Sequence, residues 1–143
     1  MAKNVYVFPT LCEYLDIKRP KILSGVSLMD AIAGKKIDRE VIYIQFDGNG
    51  ARSNFQRCAI MGDYKLIVDI FKDEVFLELY DIGKDVQEQN NLAFELQYEP
   101  IVIKMVDFIR EHMKSTKDLL EISSNVYQDF LNSYGQLRNR REE

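Results

Sequence analysis

The residues best suited to chemistry stand in one stretch, Asp47-Gly48-Asn49-Gly50-Ala51-Arg52-Ser53-Asn54-Phe55-Gln56-Arg57. Arg52 and Arg57 carry planar guanidinium groups that match a carboxylate, sulfate or phosphate through paired N–H donors. Asn49, Asn54 and Gln56 add neutral donors, so the implied chemistry is anion recognition. The plainer alternative is an exposed loop whose glycines only make turns. Elsewhere, Asp69, Asp73, Glu74 and Glu78 fall around one turn, as they do in many charged turns. General acid–base and nucleophilic catalysis need positioned partners. The sequence has no Gly-x-Ser-x-Gly, Walker-type loop or His-Glu-x-x-His motif. Cys12 and Cys58 lack metal-ligand spacing and His112 is the single histidine, which excludes a Cys/His zinc site or a two-histidine mechanism for this chain alone. Both cysteines are expected as small buried apolar side chains. His112 is expected as a half-exposed helix residue favoured by the negative dipole end.

The elements that must hold the Asp47–Arg57 stretch read as strands. Val41 to Phe46 is β-branched and aromatic and runs into Asp47-Gly48-Asn49-Gly50, a strong turn signal. Arg57 to Met61, Tyr64 to Phe71 and Val75 to Tyr80 follow as three more strands, separated by Gly62-Asp63 and Lys72-Asp73-Glu74. Links this short favour antiparallel neighbours, because a parallel crossover needs a dozen or more residues. The stretch from Asp47 to Arg57 is therefore a long hairpin loop at one end of a four-stranded meander.

Around that sheet the periodicity is helical. Tyr6-Val7-Phe8 reads as a strand end running into a helix, with Pro9 in the first turn, and a short helix is expected from Ser27 to Ala33, stopped by Gly34. Asp85 to Leu92 reads as a polar turn. Pro100 then opens a helix whose apolar stripe includes Ile101, Met105, Phe108 and Ile109, widened by Val102, Val106 and Met113. A second amphipathic helix is expected from roughly Lys117 to Arg138, ending in the basic cluster Arg138, Arg140 and Arg141, which suits a helix C-terminus. The fold class is α+β: a four-stranded antiparallel sheet against one or two C-terminal helices, with short helices at the N-terminus.

Composition sets the remaining bounds. The 143 residues suit one domain, and 46% hydrophobic with 29% charged residues is ordinary for a globular chain. A net charge of −4 gives no general attraction for phosphate backbones, so no nucleic-acid partner is expected. No apolar run approaches the ~20 residues of a membrane span, so no membrane partner is expected either. The start shows no secretory signal pattern, and the compartment stays unassigned.

The motifs also follow a familiar order. Phe8-Pro9-Thr10-Leu11, Leu23-Ser24-Gly25-Val26-Ser27-Leu28, Gly62-Asp63-Tyr64-Lys65-Leu66-Ile67 and Glu78-Leu79-Tyr80-Asp81-Ile82, then Asp85, Glu88 and Asn91-Leu92, resemble the C-terminal part of type I sulfatases. These are the formylglycine-dependent arylsulfatases of the alkaline phosphatase superfamily. The likeness runs from about Val7 to Met113. It departs at Val86, where the family usually has proline after the aspartate.

The resemblance implies a C-terminal subdomain over residues 1–114, without its catalytic N-terminal domain, and an amphipathic extension over 115–143. The family's nucleophile lies in a Cys/Ser-x-Pro-x-Arg motif and its calcium is held in the N-terminal domain. No residue here maps onto either, so the chain is expected to be inactive alone and without a cofactor of its own. The parent enzyme is expected to use calcium and formylglycine. In the family this subdomain packs on the catalytic domain and lends loops to the active-site rim, which makes Asn49, Arg52, Asn54 and Arg57 candidate substrate contacts. Two further readings stand beside this one. The chain could be an autonomous interaction module that self-associates through exposed apolar surface and its C-terminal helix. It could also be a stand-alone domain for sulfated sugars or other anions.

Overall fold

A computed structural model describes residues 4–23, 25–35, 40–48, 54–71 and 74–142, without the side chains of 4, 138 and 140–142. The candidates Asn49 and Arg52, the turn residue Asp73 and the side chains of the Arg138, Arg140 and Arg141 cluster lie outside the described residues. Two compact units divide the chain, Met1–Arg39 and Glu40–Glu143.

In the first unit, a 3-10 turn over Asn4–Tyr6 leads directly into helix α1, Val7–Tyr14. The strand end expected at Tyr6-Val7-Phe8 is therefore helical. Strand preference depends on a pairing partner, and here the backbone is fixed locally, by the Thr10 hydroxyl donating to the Tyr6 carbonyl at 2.5 Å. Thr10 Oγ1 also accepts from Leu28 N at 2.9 Å, just before the short helix α2, Met29–Ile32. Gly25 belongs to one of the sulfatase-like motifs for a steric reason. A Cβ there would lie 1.9 Å from the Val5 carbonyl oxygen, so the approach of these two backbones admits only glycine. Gly34, with φ +76°, ends α2 as expected.

The second unit contains strands β1 (Ile42–Phe46), β2 (Asn54–Met61), β3 (Tyr64–Phe71) and β4 (Glu74–Asp81), then α3 (Glu99–Thr116) and α4 (Ser124–Glu142). The strands form one antiparallel sheet in the order β1-β2-β3-β4, the expected meander in an α+β fold. β2 begins three residues earlier than expected, so Asn54 to Arg57 are strand and not loop. The cause is the two-residue turn at Gly62-Asp63, which pairs Met61 with Tyr64 and carries the register back until Asn54 meets Phe71. A β3 of eight residues thus requires a β2 of equal length.

Alternate residues Ala59, Leu66, Val68, Leu77 and Leu79 turn one sheet face inward, where they form one core with Val102, Met105, Val106, Ile109 and Met113 of α3. Ile122 and Tyr134, beyond the stretch that carries the resemblance, complete that core. Tyr134 is wholly buried and its hydroxyl donates to the Ala93 carbonyl. α3 ends at Lys117 in the left-handed conformation, φ 54°, with Asp118 N–H returned to the Met113 carbonyl at 2.9 Å. α4 starts later than expected because Ser123 Oγ accepts from Val126 N at its N-terminus. Cys12 and Cys58 are buried and stand in no disulfide. His112 is half-buried and stacked on Tyr43, with ring centroids 3.9 Å apart.

Candidate functional site

The candidate anion-binding stretch sits at the end of the β1–β2 hairpin. Alternation along β2 decides what its side chains can do. Arg57 has the parity of Ala59 and pairs with Val68, so it points to the core side. Asn54 has the opposite parity and pairs with Phe71, on the outer face. The structure therefore does not bring Asn54 and Arg57 together.

Arg57 is 4% exposed, and every nitrogen of its guanidinium has a partner. Nε and Nη2 donate to Asp118 Oδ2 and Oδ1 at 2.6 and 2.8 Å, a bidentate pair spanning 61 positions of sequence. Nη1 donates to the carbonyls of Gln56 at 2.9 Å and Phe46 at 3.3 Å, and lies 2.8 Å from Asp47 Oδ1. Burial opposes the charge on Arg57, but the hydrogen bonds and attraction from Asp118 and Asp47 outweigh it and hold the pKa above its ordinary value. Arg57 hydrogen bonding holds the Asp118 carboxyl below the usual carboxylate range despite burial. Gln45 Nε2 donates to the other oxygen of Asp47 at 2.6 Å. A guanidinium so occupied braces the hairpin end and has no paired donors left facing solvent.

Sequence reasoning missed Asp118, whose carboxylate is 4% exposed. Nothing in its local pattern marks it, since its partner lies four elements earlier. Of the acidic residues around the β3–β4 turn, Asp69, Glu74 and Glu78 share the outer sheet face, and among the described residues they form no metal-type cluster. Glu78 accepts from the Tyr80 hydroxyl at 2.7 Å, which with burial pushes the Tyr80 pKa up to about 12. Asp69 stands opposite Phe76 and Gln56 on the outer face, with Oδ1 buried and unpartnered.

The motif residues from Lys65 to Asn91 form a structural network. Lys65 Nζ meets Glu88 Oε2 at 2.5 Å. Asp85 Oδ2 accepts from the backbone of Gln89 and Asn90, both at 2.8 Å. Asn91 Oδ1 accepts from Leu79 N and Ala93 N at 3.0 and 2.9 Å, while its Nδ2 donates to the Leu77 carbonyl at 3.1 Å. Asn91 thus substitutes for a neighbouring strand along β4.

With that geometry in place, the comparison with known proteins is direct. The family model for N-sulphoglucosamine sulphohydrolase, C-terminal, matches residues 1–115. The chain belongs to that family. The chain is 26% identical over 119 residues to the uncharacterised sulfatase YidJ of Escherichia coli (strain K12), covering 82% of this chain and 23% of YidJ. It superposes on BT4656, solved in complex with its substrate D-glucosamine-2-N,6-O-disulfate, with TM-score 0.71 and 23% identity, over 85% of this chain and 26% of that one. It superposes on BT1596, a 2-O GAG sulfatase, with TM-score 0.69 and 24% identity, over 78% and 24%. At those identities the structural likeness concerns the fold. The chain spans about a quarter of the length of these relatives.

Its residues do not fit the groups that sulfatase resemblance implies. Neither cysteine nor any serine begins a Cys/Ser-x-Pro-x-Arg motif. Among the described residues, no three His, Cys, Asp or Glu side chains gather as a metal site.

Proposed function

We propose that this chain is the C-terminal portion of a sulfuric ester hydrolase, completing that enzyme's fold and shaping its choice of substrate. The observation that carries the reading is the family match over residues 1–115 in a chain spanning about a quarter of its sulfatase relatives. The partner is the catalytic N-terminal domain, which would supply formylglycine and calcium. Exposed apolar side chains support such a partner in each unit: Val7, Phe8 and Leu11 in the first, and Phe46, Phe71 and Phe76 on the outer sheet face of the second.

The β1–β2 hairpin end is the rim element, with Asn49, Arg52 and Asn54 as substrate contacts, while Arg57, buried against Asp118, is a brace and not a contact. The substrate of BT4656 makes sulfated glucosamine the first class to try. The test has two arms. Purified chain is expected to leave 4-nitrophenyl sulfate unhydrolysed, and sequencing upstream of the codon for Lys3 is expected to show an open frame with a Cys/Ser-x-Pro-x-Arg motif. Hydrolysis by the chain itself, or a stop codon just upstream of Met1, overturns the reading.

The same exposed apolar groups also favour self-association as a second reading. Light scattering of the full chain decides it: a monomer removes a built-in assembly role.

A further inference from the structure

The outer sheet face holds a polar group that no described residue satisfies. Among the described residues, Asp69 Oδ1 is the one buried side-chain oxygen or nitrogen without a hydrogen bond. We propose that this face docks the catalytic N-terminal domain through an arginine of that domain, its guanidinium on Asp69 and its stem among the surrounding phenylalanines. The pairing rests on the reading of this chain as the C-terminal portion of a larger hydrolase.

Strand register builds the site. Phe46 pairs with Gln56, Gln56 with Asp69 and Asp69 with Phe76, so these four form one row across all four strands. Directly opposite residues share a face. Neighbouring strands lie about 4.7–4.9 Å apart, which puts roughly 14–15 Å between the two ends of the row. Phe46 and Phe76 at those ends are 42% and 50% exposed, and Phe71, two residues along β3 from Asp69, is 41% exposed. The centre of the row, Gln56 beside Asp69, is polar and half-buried. Neighbouring charges on this face are already engaged, Glu78 by the Tyr80 hydroxyl at 2.7 Å and Lys65 by Glu88.

A buried carboxylate oxygen without a donor is unfavourable, and folded chains rarely keep one. Three half-exposed phenylalanines on the same face are a second departure from an ordinary surface. An arginine answers both. Its planar, weakly hydrated cation pairs with a carboxylate and stacks on aromatic rings, whereas the compact ammonium of lysine holds its water more strongly. The arginine stem adds apolar contact. A neutral donor would leave the carboxylate charge uncompensated once the face is covered. Two copies of this chain packed face to face would set Asp69, Glu74 and Glu78 against the same acids of the other copy, so like charge disfavours self-pairing here. The remaining occupant is the rest of the protein, since the chain spans about a quarter of relatives such as YidJ and BT4656.

The test is the thermal midpoint of two proteins, this 143-residue chain and the protein from the complete reading frame, each as wild type and as Asp69→Asn. The substitution keeps the volume of the side chain and removes its charge. In this chain alone the midpoint is expected to hold or to rise by up to about 4 °C, because no partner is lost. In the complete protein it is expected to fall by about 4 °C or more, because the guanidinium is left under the interface without its carboxylate. Asp69→Glu keeps the charge and is expected to recover at least half of that fall. A fall in both proteins means that a donor within this chain holds Asp69. No fall in the complete protein means that no cation arrives, and a Glu variant no better than Asn means that the charge is not what is recognised. Each of these overturns the proposal.

Phe76→Thr keeps a strand-forming residue and gives a second variant should the Asp69 substitutions fail to fold. It is expected to leave this chain within about 2 °C of wild type and to lower the complete protein by more than that. An equal change in the two proteins overturns the proposal. Hydrolysis of 4-nitrophenyl sulfate by the complete protein is read beside the midpoints. An active wild type whose midpoint ignores Asp69 overturns the docking alone. An inactive wild type whose midpoint depends on Asp69 overturns the proposed function alone, and a stop codon just upstream of Met1 overturns both.

Discussion

Arg57 and Asp118 show how burial decides what a charged residue is for. A solvent-facing arginine can offer its donors to a substrate, whereas one at 4% exposure must have them satisfied within the protein or lose several kcal/mol. Asp118→Asn keeps the volume but leaves Arg57 partly unpaired, so urea denaturation at pH 7 is expected to show a loss of about 3–5 kcal/mol, the range for breaking a buried pair. The pH dependence has a definite sign. Arg57 hydrogen bonding depresses the Asp118 pKa in the folded chain. Its contribution is therefore complete above the unfolded carboxylate value of about 3.9 and is lost as pH falls through the folded one. The gap between wild type and Asp118→Asn is expected to be constant from pH 7 to about pH 5 and to narrow below about pH 4. A gap that stays the same across that acid range would mean the carboxylate charge contributes nothing.

At the scale of elements, the sulfatase-like motifs act mainly by closing the sheet. β4 is the edge of the meander, and an open edge leaves backbone N–H and C=O groups without partners. Asn91 supplies both kinds of group to Leu77 and Leu79, and Leu92 N adds a bond to the Leu79 carbonyl at 2.8 Å. Asn91→Ala is expected to cost about 2 kcal/mol in chemical denaturation, since Leu79 is wholly buried and its N–H is then unsatisfied. Asn91→Asp retains the acceptor for Leu79 and Ala93 and is expected to lose less. Equal losses for the two variants would remove the acceptor role.

At the scale of the whole molecule, residues after Ser115 are not an appendage to the second unit. Ile122 and Tyr134 lie in the same core as α3 and the sheet, and Asp118 neutralises Arg57. A chain ending at Ser115 loses a buried aromatic, worth about 3–5 kcal/mol, and leaves a buried arginine uncompensated at a similar cost. Together these approach the whole stability of an ordinary domain, about 5–15 kcal/mol. The shortened chain is expected to lose cooperative thermal unfolding and to bind a hydrophobic dye. A sharp transition within a few degrees of the full chain would show that residues 1–115 fold unaided.

Strand and helix types were legible in the residues because they follow local periodicity. Val41 to Phe46, Tyr64 to Phe71 and the stripe from Val102 to Met113 carry periods of 2 and 3.6 that short turns and Pro100 delimit. The family, too, could be read from ordered motifs whose spacing reflects local turns and edge closure. Tertiary structure decided the rest. Tyr6-Val7-Phe8 looks extended by composition, but strand formation needs a partner and the local Thr10–Tyr6 bond favours the helix. Arg57 could not be separated from a loop arginine by type, because its β2 neighbours Cys58 and Ile60 are also buried and hide the alternation. Only the register from the Gly62-Asp63 turn and the arrival of Asp118 from the end of α3 settle where its charge goes. A buried ion pair is a long-range contact between residues that each look soluble alone, so its physics belongs to the fold and not to either stretch of sequence.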